Sequence, residues 1–245
     1  MTNEDTLEKI KIMKLYGMQR IFKSALDMGF NKLSPDEFVA SLVDAEWEER
    51  YNRKLTRLLA TAKFRYKANL ESISYDSGRN LDKNMVLKLS SFEWIKRKYN
   101  LIISGPTGTG KSYLACAFGN NACLEGYSVL YYNSSKLFNS LRMKKVDGSY
   151  NREIDKIKKT DLLILDDFGL EPFDKKTALF LMEIIEDRHG QKSTIITSQY
   201  PISSWHDVVN NQTIADAVCD RILHSSYTFT LKGDSMRKLI TKGLT

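Results

Sequence analysis

Residues 101–112, Leu101-Ile-Ile-Ser-Gly105-Pro-Thr-Gly-Thr-Gly110-Lys111-Ser112, decide the fold. An apolar run feeds a loop of pattern G-x-x-x-x-G-K-[ST], which opens a helix-forming stretch. In such a loop Gly105, Pro106, Thr107, Gly108, Thr109 and Gly110 let the backbone curl. Its amides and the following helix N-terminus then face a polyphosphate. Lys111 is expected to reach the β- and γ-phosphates, and the Ser112 hydroxyl to hold magnesium.

Working outward, Leu162-Leu-Ile-Leu165 runs into Asp166-Asp167, 54 residues after Ser112. This is the pattern of a Walker B strand, delivering carboxylates to the C-terminal sheet edge where ligands sit in open α/β sheets. Asp166 is expected to position magnesium and Asp167 to polarise the attacking water. Apolar runs at 101–104, 128–132, 161–166, 193–198 and 226–231 alternate with helix-length segments, which predicts a doubly wound, largely parallel α/β sheet. No guanine-reading N-K-x-D segment follows the loop, and Arg142 and Arg152 are the only arginines between 113 and 165. A GTPase and a small-molecule kinase with an arginine-rich lid are therefore disfavoured, and ATP with Mg2+ is the expected ligand pair.

Ahead of the sheet, apolar spacing predicts a helix from Leu7 through Leu26, ending near Gly29. Ser34-Pro35-Asp36-Glu37 is a capping box with proline at the first helical position, starting a second helix that runs to about Ala62. Glu71 to Tyr75 alternates like a short strand, and Lys83 to Lys98 reads as one amphipathic helix. A boundary near 68 separates an N-terminal helical domain, 1–68, from a nucleotide-binding domain, 69–245.

The 245 residues, 42% hydrophobic and 27% charged, suit one main soluble domain with a small appendage. The N-terminus lacks an apolar core of signal-peptide length, and no stretch approaches a membrane span, so a cytoplasmic protein is expected. Cys116 and Cys123 fall too far apart along a helix to bridge, and the three histidines share no zinc-ligand spacing with the cysteines. The net charge of +7 is uneven: −4 over 1–49, +9 over 50–98 and +2 over 99–245. An excess this local points to an acidic partner.

From residue 81 to 240 the order of motifs resembles an initiator-clade AAA+ ATPase, most closely the IstB family of insertion-sequence ATP-binding proteins, with the DnaC helicase loaders as relatives. The resemblance is carried by Asp166-Asp167-Phe-Gly169, by Thr194-Ile-Ile-Thr-Ser198-Gln199-Tyr-Pro201 with Trp205-His206, by Asp220-Arg221-Ile222 and by Gly233-Asp-Ser235-Met-Arg237. It implies a three-layer αβα P-loop fold with a small N-terminal helical domain and little or no C-terminal lid. It further implies sensor-1 side chains at Ser198 and Gln199, Gln199 first, and a sensor-2 arginine at Arg237. Arg221 would be a finger acting on a neighbouring subunit's nucleotide, which requires a homo-oligomer. The family position of the general base normally carries Glu; this chain has Asp167, one methylene shorter, which implies slow turnover.

Two basic segments are candidate DNA contacts. Arg50, Arg53, Lys54 and Arg57 share one helical face, interleaved with aromatics, and can follow a phosphate backbone without reading bases. Lys136, Arg142, Lys144 and Lys145 lie in the insertion before Asp166, where the resemblance implies DNA-lining helices. No helix-turn-helix or zinc module offers base readout, so sequence-tolerant binding to double-stranded DNA is expected. The resulting expectation is an ATP-dependent helper of DNA transposition that assembles on and remodels DNA and engages a transposase. A replicative helicase loader and a non-hydrolysing scaffold are the alternatives.

Overall fold

The computed structural model of the chain describes residues 2–29, 34–75 and 77–236. It divides into two compact units, one up to Arg57 and one from Leu58.

The first unit is helical: α1 (Asn3–Ile12), α2 (Tyr16–Met28) and most of α3 (Pro35–Ala62). The capping box forms as read, with the Ser34 amide donating to Glu37 Oε2 at 2.8 Å and the Glu37 amide donating to Ser34 Oγ at 3.3 Å. The single first helix does not form. Lys14 adopts φ +59°, breaking the chain between α1 and α2. The break turns Gly17 onto α3, where its amide donates to Glu46 Oε2 at 2.9 Å. A Cβ at Gly17 would stand 2.2 Å from the Ala45 carbonyl oxygen, so only glycine permits this approach.

The second unit holds β1 (Asn100–Ser104), β2 (Val129–Asn133), β3 (Leu162–Phe168), β4 (Ser193–Ser198) and β5 (Ser226–Thr230). They form one parallel sheet in the order β2-β3-β4-β1-β5. β1 and β4 are buried along their whole length, as strands covered on both faces must be. Packed around them are α6 (Lys111–Leu124), α7 (Ser134–Val146), α8 (Tyr150–Lys159), α9 (Lys175–Arg188), α10 (Trp205–Val209) and α11 (Gln212–Leu223). Cys116 and Cys123 are buried on α6, where burial pushes their thiols up to about 11 and about 12.

Two further expectations fail ahead of β1. Residues 71–75 form no strand: Leu70–Ser72 is a 3-10 turn. The segment is held by side chains instead, Arg79 bonding the Ser74 carbonyl and donating from Nη2 to Thr109 O at 3.0 Å. The helix expected over 83–98 is two, α4 (Lys83–Leu89) and α5 (Glu93–Lys96), because Phe92 takes a left-handed φ of +55° and is 3% exposed.

Among the described residues Arg188 is the most deeply buried cation. Arg188, at the end of α9, donates to Ile157 O at 2.6 Å, Thr160 O at 2.9 Å and Thr194 Oγ1 at 3.1 Å, and also bonds Ser193 O. It ties the end of α8 to the start of β4. Burial pushes its guanidinium down to about 9.

Candidate functional site

The loop between β1 and α6 borders a cavity of about 610 Å³. Thr107, Gly108, Gly110, Lys111 and Ser112 line it, together with Asp167, Gln199 and Met236. Gly105, Gly108 and Gly110 have φ of +144°, +87° and +90°, the left-handed side that lets amides turn toward an anion. Gly105 and Gly108 also lack room for a side chain, since a Cβ would meet Leu231 O at 2.3 Å and Ser235 Oγ at 2.3 Å, whereas at Gly110 it would meet the guanidinium tip of Arg79 at 2.8 Å. The Thr109 hydroxyl closes the turn on Pro106 O at 2.9 Å. Lys111 Nζ donates back to Gly105 O at 2.8 Å and Pro106 O at 2.9 Å, and burial lowers its pKa.

The neighbouring carboxylates have opposite surroundings. Asp166 is fully buried; it accepts from the hydroxyls of Tyr131 and Thr197, one on each carboxylate oxygen. Burial, then the bond to Asp166, pushes the Tyr131 phenol up, so it stays a donor. Asp167 takes φ +55° where the β3–β4 register shifts between Leu165 and Phe168. The bulge turns its carboxylate into the cavity, with its amide donating to Thr197 Oγ1 at 3.1 Å. Asn133 Nδ2 donates to Asp167 Oδ2 at 3.1 Å, and Arg65 Nη1 lies 3.3 Å from the same oxygen.

Ser198 and Gln199 part company. Ser198 is buried, its hydroxyl donating to Phe168 O at 3.0 Å and accepting from the Tyr200 amide at 3.1 Å. Gln199 faces the cavity and accepts from Thr107 Oγ1 at 2.7 Å. Arg221 is not among the cavity residues; it pairs with Glu186 on α9 at 2.5 Å and donates to Ala217 O at 3.0 Å. Arg237 lies outside the described residues. Its neighbour Met236 donates from its amide to Gly108 O at 2.9 Å, bringing the segment after β5 over the phosphate loop.

The first basic segment borders a second concavity, where Arg50, Arg53, Lys54 and Arg57 join Met13 and Lys14. Arg50 and Arg53 are tied to Glu46 at 2.8 and 3.6 Å, and Arg53 also to Glu49 at 3.5 Å. The second segment does not gather. Arg142 pairs with Asp174 at 2.6 Å, Lys144 with Glu153 at 2.9 Å, and Lys145 sits over the rings of Tyr150 and Phe180 at 4.7 and 4.9 Å. Lys136 is exposed.

Sequence reading missed Arg65, Asn133, Tyr131 and Thr197, which surround the carboxylates from remote positions. It also missed Ile73 and Arg79, which border the cavity beside the loop. An isolated arginine or tyrosine carries no motif; only the parallel register that sets Asn133 beside Asp166 reveals such neighbours. Among the described residues no cluster of three His, Cys, Asp or Glu side chains has metal-holding geometry, and no helix is long and apolar enough to cross a membrane.

The arrangement has known counterparts. The sequence profile of the IstB-like ATP binding proteins matches residues 8–242. The insertion sequence ATP-binding protein y4pL of Sinorhizobium fredii is 44% identical over 234 residues, covering 95% of this chain and 96% of that one. Among solved structures, the DnaC helicase loader superposes with a TM-score of 0.57 at 21% identity, covering 68% of this chain and 98% of that one. AMPPCP-bound DnaA from Aquifex aeolicus does so with a TM-score of 0.59 at 23% identity, covering 74% and 56%. Those two likenesses are of fold. The profile match and the close relative carry the assignment: the chain belongs to the IstB-like ATP binding protein family and is a P-loop ATPase of AAA+ fold.

Proposed function

We propose that this ATPase is a regulator of DNA transposition that assembles on double-stranded DNA in its ATP form, remodels it, and recruits or stimulates a transposase. The observation that carries the nucleotide half is the cavity that brings Lys111, Ser112, Asp167 and Gln199 together. The partner half is supported by the insertion-sequence relatives and by the basic concavity of the first unit.

Within the cavity, loop amides and Lys111 take the phosphate charge. Lys111 exchanges its bonds to Gly105 and Pro106 for phosphate oxygens. Asp167, aimed inward by its left-handed turn, orients the attacking water and accepts its proton. Gln199, on the same wall, bonds that water or the terminal phosphate. The hard-oxygen donors fit magnesium: Ser112 lines the cavity, and Asp166, each of whose oxygens keeps an acceptor site beyond the one hydroxyl it takes, would position the ion directly or through water. When bound, the ion neutralises phosphate charge. The Tyr131 and Thr197 hydroxyls fix the Asp166 carboxylate for that role. Arg221 and Arg237 are proposed to read the terminal phosphate, Arg221 on a neighbouring subunit; reaching it requires release from Glu186.

Nucleotide dependence of DNA binding tests this reading. Fluorescence anisotropy on a random-sequence duplex with ATP, ADP or no nucleotide, with mass measured on the same samples, should give tight binding and a large complex only with ATP. Lys111→Ala and Arg221→Ala should each abolish both. Affinity indifferent to nucleotide would remove the DNA-assembly reading and leave a helicase loader or a scaffold.

A further inference from the structure

Between the end of α3 and the 3-10 turn at Leu70, the segment 63–69 is pinned along α6. Lys63 turns the chain at φ +55°. Phe64 then fills the notch left by Gly119, where a Cβ would stand 2.5 Å from Phe64 Cε1. Tyr66 packs on Tyr113 with ring centroids 6.2 Å apart, and Asn120 Nδ2 donates to Ala68 O at 2.9 Å. Tyr113, Gly119 and Asn120 all belong to the helix that the phosphate loop opens. A chain fastened on both sides of one residue fixes where that residue's side chain starts.

That residue is Arg65. Its guanidinium lies over the Tyr66 ring at 5.3 Å and lines the nucleotide cavity with Thr107, Lys111, Ser112 and Gln199. Nη1 stands 3.3 Å from Asp167 Oδ2 and 3.9 Å from Asp166 Oδ2. Asp167 is the carboxylate proposed for the attacking water and Asp166 the one proposed for magnesium. A cation lying beside both occupies ground that those roles need. The Arg65 side chain is 44% exposed, so it is free to turn about its own bonds while its backbone stays on α6.

We propose that Arg65 is a further phosphate-reading residue, supplied by the same subunit: it leaves Asp167 for the terminal phosphate when ATP binds, and lies on Asp167 again when ADP remains. A terminal phosphate carries more charge than one carboxylate and offers three oxygens to a planar guanidinium. ADP offers no such partner, so the exchange distinguishes the two nucleotides. It frees the Asp167 carboxylate only when a phosphate stands ready for attack. Arg221 needs a neighbouring subunit to reach a nucleotide; Arg65 does not, and so acts in a monomer. The inference rests on the reading of the cavity as the ATP site and on no part of DNA binding.

Calorimetric titration of the dilute chain with Mg2+ and either AMPPCP or ADP, without DNA, tests it. Arg65→Gln should weaken AMPPCP by about tenfold or more and leave ADP within about threefold. Arg65→Lys, which keeps the charge but not the planar fork, should lose less. Lys67→Gln, at an exposed cation of the same segment, should change neither. Arg65→Gln repeated in an Asp167→Asn chain separates direct from indirect action. With the resident carboxylate gone, no ion pair is broken in the exchange, so the loss for AMPPCP should exceed that in the wild type. An equal loss for both nucleotides would make Arg65 a fastening of its segment, no loss would make it a surface cation, and a loss that vanishes in Asp167→Asn would make it act only through that carboxylate. Each of these overturns the proposal. A wild-type chain that binds neither nucleotide would overturn the ATP-site reading together with it. DNA is absent from every sample, so failure of the DNA-assembly reading leaves these outcomes where they stand.

Discussion

Arg50, Arg53, Lys54 and Arg57 put four positive charges into eight residues, and Lys136, Arg142, Lys144 and Lys145 put four into ten. As sequence the two stretches are equivalent. As structure, the first borders an open concavity that also collects Lys14 from the α1–α2 break, and Glu46 and Glu49 engage two of its four cations, Arg50 and Arg53. In the second, Asp174, Glu153 and two aromatic rings already engage three of the four cations. A basic residue is available to a polyanion only in proportion to what its own fold leaves unengaged, and charge counting along a chain cannot register that.

Three measurements would break or sharpen this contrast. The largest effect belongs to the most engaged cation: Arg188→Ala strands two carbonyls at the end of α8 and one of β4, and should lower the unfolding free energy by about 3 kcal/mol or more. Urea denaturation reads it directly, and a loss under about 1 kcal/mol would mean water replaces the guanidinium. Next, Lys54→Glu with Arg57→Glu should cut duplex affinity by one to two decades and flatten the slope of its salt dependence by about 0.9 for each phosphate no longer neutralised. Lys144→Ala with Lys145→Ala should stay within about threefold. The reverse ranking, in anisotropy titrations across salt, would place the DNA on the second unit.

The smallest effect is on pH. Burial raises the Glu153 and Asp161 carboxyls, but bonds from Tyr132 and Lys144, and from Lys192 and Ser128, more than reverse this. Asp174 is lowered by its bonds to Thr177 and by Arg142. Groups lowered on folding stabilise the native state fully above their unfolded pKa, and that contribution disappears as pH falls through the folded value. Thermal stability should therefore be level from neutral pH to about 5 and decline below about 4. Lys192→Met should make the decline shallower; an unchanged slope would show that these ion pairs do not set acid stability.

Local patterns in the sequence anticipated much of this molecule. The loop of 105–112 and the acids 166–167 are contiguous, so their geometry was readable before any fold; the five strands and the capping box at Ser34 follow from short-range periodicity and side-chain chemistry. What escaped depends on distant chain. Lys14 and Phe92 take left-handed turns that no local signal demands, one to seat Gly17 on α3 and one to bury an aromatic ring. The 71–75 segment alternates like a strand, yet a buried arginine and a phosphate loop hold it as a turn. Arg65 reaches Asp167 across 102 residues.

The tail of Lys111 has an experimental consequence. By bonding two carbonyls of its own loop, it serves as an internal counterion that keeps the cradle in shape before any phosphate arrives. Nucleotide therefore enters by exchange with a resident ligand. Replacing Lys111 with alanine removes that ligand along with the phosphate bond, so an inactive Lys111→Ala protein reports on two deficits at once. Calorimetry of the nucleotide-free variant separates them: whatever stability has already gone before ATP is added belongs to the scaffold.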